Sequence, residues 1–148
     1  MYKKILLPID GSENAEMAAE HAFLLGSRSG AEIIVLNVVE TPRFTGIRSA
    51  DKDELMNKLK TEGKDSFGRI NERFMERKRM EKCENDMNLN FRSKEGSPAD
   101  LILKTIEEEN IDLVVMGTSG KRGLNRFLLG SVAENTMRSA KIPVLVVR

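Results

Sequence analysis

Leu113-Val114-Val115-Met116-Gly117-Thr118-Ser119-Gly120 passes from four apolar residues into a polar, glycine-containing loop, and Gly130-Ser131 then opens a helical stretch from Val132 to Ala140. A short β-prone run followed by turn residues and a helical period is a strand–loop–helix unit. The pattern recurs on both sides of it. Upstream, Lys4 to Ile9 is an apolar run stopped by Asp10-Gly11-Ser12, and Ser12 before Glu13 is a helix start. Ala15, Ala18, Ala19, Ala22 and Phe23 then repeat near 3.6 residues, which suits a helix packed closely on a sheet; the stretch Gly26 to Gly30 ends it. Ile33 to Val39 is a continuous β-prone run of the kind covered on both faces. Downstream, Val144-Leu145-Val146-Val147 closes the chain.

The middle of the chain is less regular. Thr41 to Gly46 reads as a loop, and Asp51 to Asn85 is dominated by Lys, Arg, Glu and Met. Leu55, Leu59, Phe67, Ile70 and Phe74 keep a helical stripe there, which Gly63 and Gly68 weaken, so the spacing predicts a helix broken once at most. Leu89, Phe91 and Ser93 alternate with Asn88, Asn90, Arg92 and Lys94, the pattern of a half-exposed edge strand. Ser97-Pro98 then begins a helix that buries Ile102, Leu103 and Ile106 and ends near Asn110. Strands separated by helices argue an α/β fold with a parallel sheet and right-handed crossovers. Ligands of such sheets sit beyond the carboxyl ends of the strands, where strand order reverses. A site between the ends of the first and fourth strands collects Pro8, Asp10, Gly117, Gly120 and Ser131.

The chemistry of that place points to an anion. Glycines let backbone amides approach a phosphate without a β-carbon in the way, and Ser131 adds a hydroxyl at the positive end of a helix dipole. Lys121 and Arg122 lie in the same loop. From these residues alone, plain turns and a plain helix cap are an equally good account. Two nucleotide signatures are excluded by spacing. A P-loop needs glycine where Val115 stands and Ser or Thr where Arg122 stands, and the G-x-G-x-x-G dinucleotide pattern is absent after the first strand.

Gly117-x2-Gly120-x9-Gly130-Ser131 resembles the G-x2-G-x9-G-[S/T] motif of the universal stress protein family, and the likeness extends to Tyr2–Ser12 at one end and Pro143–Val147 at the other. The resemblance implies one domain over residues 1–148, with an open five-stranded parallel sheet in the order 3-2-1-4-5 and helices on both faces, Rossmann-like. It implies the ATP-binding branch of the family, with magnesium or manganese bridging the phosphates. Asp10 matches the acidic residue beside the nucleotide, Val38 the adenine pocket, and Met116 and Gly117 positions along the ribose. Gly120, Gly130, Ser131 and Val132 match the phosphate positions, with Pro8 on the wall of the same site. Asn37 stands where many members have histidine. The segment from Thr41 to Asn88 is the family's variable region, on which the resemblance is silent. The function implied is an ATP-binding, nucleotide-dependent regulatory or stress-response protein; the alternatives are a dimeric adaptor with little or no nucleotide binding and a slow ATP hydrolase.

Composition bounds these readings. At 148 residues, with 40% hydrophobic and 32% charged residues, the chain has the size and make-up of one globular domain. A formal net charge of +1 offers no general field for nucleic acid or anionic membrane. No apolar run approaches a spanning helix or a signal peptide, and one cysteine makes no internal disulfide, so a cytoplasmic location is expected. His21 reads as a surface or packing residue, Cys83 has no metal-ligating neighbour, and Asp10 has no Ser–His or Cys–His pair to serve. No catalytic residue is assigned, and at most weak ATPase activity is expected. Arg69 to Lys82 alternate with Glu72, Glu76 and Glu81, which reads as a solvated helix face. The last strand, apolar on both faces, belongs at a sheet edge, where pairing with a second copy would cover it; the family resemblance implies the same homodimer.

Overall fold

The apolar runs form one parallel sheet. A computed structural model describes residues 1–41, 46–80, 87–118 and 129–148. Among them the order is β1 (Lys4–Ile9), α1 (Glu13–Ser29), β2 (Glu32–Val39), α2 (Ser49–Met80), β3 (Leu89–Glu95), α3 (Pro98–Glu108), β4 (Leu113–Gly117), α4 (Ser131–Ser139) and β5 (Val144–Val147). The sheet runs β3-β2-β1-β4-β5 with every pair parallel, as the sequence pattern and the resemblance imply.

Period-two alternation divides the core. Ile5, Leu7, Ile9, Ile33, Val35, Leu113 and Val115 face the small residues of α1 and the Ile70–Phe74 stripe of α2. Leu6, Ile34, Leu36, Val114 and Met116 face Ile102 and Ile106 of α3 and Ala133 of α4. The chain winds outward from β1 to β3 with its helices on one face, then returns to β4 and β5 with helices on the other. Keeping one crossover hand while reversing direction requires that change of face. The reversal lies between β1 and β4.

Ser12 caps α1, its hydroxyl accepting from the Ala15 N–H at 3.2 Å. The helix continues through Gly26 and ends at Gly30, whose φ of 70° and N–H to the Gly26 carbonyl make a left-handed cap. Gly26 is therefore a packing glycine, not part of the stop: a β-carbon there would stand 3.0 Å from Ile33 Cδ1 and 3.1 Å from Met87 Sδ.

Helix α2 is unbroken through Gly63 and Gly68, against the expected weakening. Gly63 is buried against Asn37 of β2, and burial of Ser66, Ile70 and Phe74 outweighs an intrinsic penalty of about 1 kcal/mol per glycine. Its basic face is not simply solvated. Arg69 and Arg73 reach Glu16 at 3.1 and 2.9 Å, and Arg73 and Arg77 reach Glu20 at 3.2 and 3.3 Å. Each pair is half-exposed and worth little alone, but together they set α2 beside α1. β3 is the half-exposed edge expected, and its Phe91 stacks on Phe67 of α2 with centroids 4.4 Å apart. Ser97 begins α3 through its backbone, its carbonyl accepting from Leu101 N–H at 3.0 Å, and its side chain makes no cap bond.

At the opposite end of the sheet, Asp112 ties β4 to the amino terminus. Its Oδ2 accepts from the Lys3 and Lys4 N–H groups at 2.7 and 2.9 Å. Those two bonds hold its carboxyl below the usual aspartate range. A lowered folded pKa means stability that is present above the ordinary aspartate pKa and lost as pH falls through the folded value. Asp112→Asn is expected to cost about 1 kcal/mol near neutral pH, discounted for solvent, because its amide keeps only a neutral acceptor. The difference from wild type should shrink below about pH 4, which thermal melts across pH would measure.

Candidate functional site

The reversal of strand order leaves a crevice above β1 and β4. Register between these strands is recorded only at Ile5–Leu113 and Leu6–Val114, near their amino ends. At the carboxyl edge, β1 gives way to Asp10 and Gly11; Gly11 has φ of 79°, which turns the chain into α1. Asp10 is exposed, and its Oδ1 accepts from the Ser12 N–H at 3.0 Å. One oxygen of the carboxylate thus shapes the loop. Pro8 is half-buried opposite Leu36 of β2.

The opposite wall is built by a backbone clamp. Thr118 N–H donates to the Val147 carbonyl at 2.9 Å, and the Thr118 carbonyl accepts from Gly130 N–H at 2.7 Å. The end of β4 and the start of α4 are thereby joined across the loop between them. Gly120 lies in that loop, outside the described residues, as do Ser119, Lys121 and Arg122. Gly130, with φ of −65° and ψ of 151°, is the N-cap of α4, and Ser131 is the first helical residue. Ser131 therefore does not cap the helix: its exposed hydroxyl stands on the first turn. No side-chain cap bond closes α4 among the described residues, and the Gly130–Thr118 bond sets the positive end of its dipole beside the end of β4. Val132 is half-buried against the α3–α4 core.

Gly117 is glycine for a reason the sequence does not display. A β-carbon there would stand 2.8 Å from Asn14 Cβ and 2.9 Å from the Asn14 carbonyl carbon. The end of β4 thus presses on the first turn of α1, next to the loop bearing Asp10. Met116, 4% exposed, commits its side chain to the core, so only its backbone borders the crevice. Asn14 is the contributor that sequence reasoning missed, and no periodicity or motif marks it; Thr118 falls inside the glycine motif, which does not reveal the two backbone bonds it makes.

Strand β2 outruns β1. The last β1–β2 pair is Ile9–Asn37, whereas β2 continues against β3 through Val38–Lys94 and Val39–Glu95. Glu32 N–H donates to Lys3 on the β1 side and Ile33 N–H to Asn88 on the β3 side. By that alternation the Val38 carbonyl points to the β1 side, just where β1 has turned away at Gly11. The Val38 side chain packs on the α3–α4 face. Pro8, Asp10, Val38, Met116, Gly117, Gly130, Ser131 and Val132 therefore all lie on elements meeting at one sheet edge. Among the described residues neither of the two perturbed carboxyls lies there: Asp112 is at the other end, and Glu108, lowered first by a hydrogen bond from Lys94, is on α3. Among the described residues no group of three or more His, Cys, Asp and Glu could hold a metal, and no helix is long and apolar enough to cross a membrane.

A model of the universal stress protein family matches residues 1–148. Universal stress protein MJ0531 of Methanocaldococcus jannaschii is 38% identical over 149 residues, spanning 100% of this chain and 83% of that protein. The solved structure of MJ0577 from the same organism superposes with a TM-score of 0.79 at 35% identity, covering 99% of this chain and 96% of that one. A universal stress protein solved in complex with cAMP shares the fold, with a TM-score of 0.60 at 23% identity over 99% and 97% of the two chains.

Proposed function

The chain belongs to the universal stress protein family, and we propose that it binds ATP or a related adenine nucleotide in the β1–β4 crevice, as a regulatory protein whose state follows nucleotide occupancy. The observation that carries the reading is the clamp from Thr118 to Gly130, which brings the glycine end of β4 to the N-terminus of α4. First-turn N–H groups with no side-chain cap among the described residues, and a helix dipole, favour a phosphate there. The Val38 carbonyl supports the nucleobase. An acceptor at that position takes a hydrogen bond from the exocyclic amine of adenine and repels the exocyclic oxygen of guanine. Asp10 lies between these two ends, beside the ribose and phosphates. The fold is known to accommodate an adenine nucleotide in the cAMP complex.

A divalent cation fits with the nucleotide present. The described residues supply no ligand cluster, so magnesium or manganese would draw its ligands chiefly from phosphate oxygens and water, and would neutralise phosphate charge. Among the described residues no side chain at the crevice is assigned to orient an attacking water, and binding rather than rapid hydrolysis is the function proposed. The test is to denature purified protein, identify any released nucleotide by chromatography, and titrate ATP and GTP with magnesium. Binding of ATP at least tenfold tighter than GTP is expected; no binding of either sinks the reading.

A homodimer through β5 is part of the same proposal. β5 pairs with β4 on one side and ends the sheet on the other, and Leu145 on it is 36% exposed. A two-fold pairing of β5 with its copy would satisfy the open edge and cover Leu145. Light scattering should give twice the chain mass at micromolar concentration; a monomer there rejects the interface.

A further inference from the structure

We propose that the contact between Asn37 and Gly63 is a positioning device for the nucleobase end of the crevice, through which helix α2 sets the place of the Val38 carbonyl; this rests on reading the crevice as an adenine-nucleotide site. Asn37 is a polar side chain, 6% exposed, on the sheet face covered by α1 and α2. It stands in the last row where β2 has partners on both sides, Ile9 and Ser93. The next residue, Val38, has only Lys94.

Helix α2 crosses this row at a glycine. A β-carbon on Gly63 would overlap Asn37 Nδ2 and lie 2.7 Å from its Cγ and 3.2 Å from its Oδ1. The helix backbone therefore rests on the amide with no room between them. Below the contact, Ile70 and Phe74 bury 99% and 96% of their surface against the sheet, and Phe67 stacks on Phe91. Above it, Lys60 pairs with Glu95 at 2.6 Å. The stretch from Ser49 to Glu62 rises roughly 20 Å from the contact at 1.5 Å per residue, past the end of β2. A push on this arm toward the sheet bears on Asn37 where the helix backbone rests on it at Gly63. Interiors packed at crystal density pass such a displacement on, and the Val38 carbonyl lies in the second peptide after Asn37, one residue further along β2.

The experiment is calorimetric titration of ATP and GTP into wild type, Gly63→Ala, Asn37→Ala and the double variant, with melting temperatures recorded. Wild type that binds no nucleotide overturns the site reading itself, whatever the variants do. With wild type binding ATP, Gly63→Ala should lose about tenfold in ATP affinity with GTP little changed, so that the preference for adenine collapses. The double variant should recover to within about threefold, because the new methyl occupies the space the amide vacates. If Gly63→Ala does not fold, Asn37→Ala alone, which leaves a gap, should lose the preference and the double variant regain it. An ATP-to-GTP ratio that stays at the wild-type value in Gly63→Ala or Asn37→Ala, even with a lowered melting temperature, makes the contact merely structural and overturns the proposal.

Discussion

ATP titrated into Gly130→Val is expected to bind at least about a hundredfold more weakly than to wild type, a loss near 2.7 kcal/mol, while the melting temperature of the nucleotide-free protein moves by no more than about 2 °C. The two expectations come from one geometry. Gly130 has φ of −65° and ψ of 151°, extended backbone that valine adopts without strain. Its N–H, which donates to the Thr118 carbonyl at 2.7 Å, is kept by the substitution, so the clamp survives. What changes is the space in front of the first turn of α4. A β-branched side chain there is stiff and cannot swing aside, and it fills the place where a phosphate would approach the backbone. Equal affinity in both proteins, measured by calorimetry with magnesium, rejects the cradle. A large fall in melting temperature without ligand would instead show that Gly130 is needed for the fold.

The same residues show why part of the site was legible and part was not. Strands β1, β2 and β4 announce themselves because burial on both faces demands continuous apolar runs, and α1 because its small residues keep one period against the sheet. Gly117, Gly130 and Ser131 could be singled out because turn chemistry and spacing are local. Contacts between distant segments are not local. Nothing in Asn14 signals that it meets Gly117, and nothing in Thr118 signals that it bonds both Val147 and Gly130. Gly26 and Gly63 mislead for a related reason. Intrinsic propensity counts a helical glycine as a defect, whereas here each lets a helix come close to a particular partner, Ile33 with Met87 or Asn37. The acidic face of α1 and the basic face of α2 are likewise ordinary amphipathic surfaces until the fold sets Glu16 and Glu20 opposite Arg69, Arg73 and Arg77.

Gly117→Ala separates packing from binding at the motif glycine that presses on the first turn of α1. The nucleotide-free variant is expected to lose about 2 kcal/mol of stability, lowering the melting temperature by about 4–8 °C for a chain of this size. Its new methyl would sit 2.8 Å from Asn14 Cβ, 2.9 Å from the Asn14 carbonyl carbon and 3.1 Å from the Ala15 nitrogen. Two of those atoms are backbone and the third is a β-carbon, so no side-chain rotation relieves the overlap. The turn they belong to is itself held, by the Ser12 hydroxyl on Ala15 N–H and the Ser12 carbonyl on Glu16 N–H. Relief must come from moving the start of α1, and with it the loop that carries Asp10. Nucleotide affinity should therefore fall as well, but as a consequence of a displaced wall rather than a blocked phosphate. Calorimetry and melting curves on the same samples distinguish the two substitutions: Gly130→Val loses binding with stability kept, and Gly117→Ala loses stability before any ligand is added. An unshifted melting temperature for Gly117→Ala would mean that α1 yields freely at Asn14, and that glycine is required there by the ligand alone.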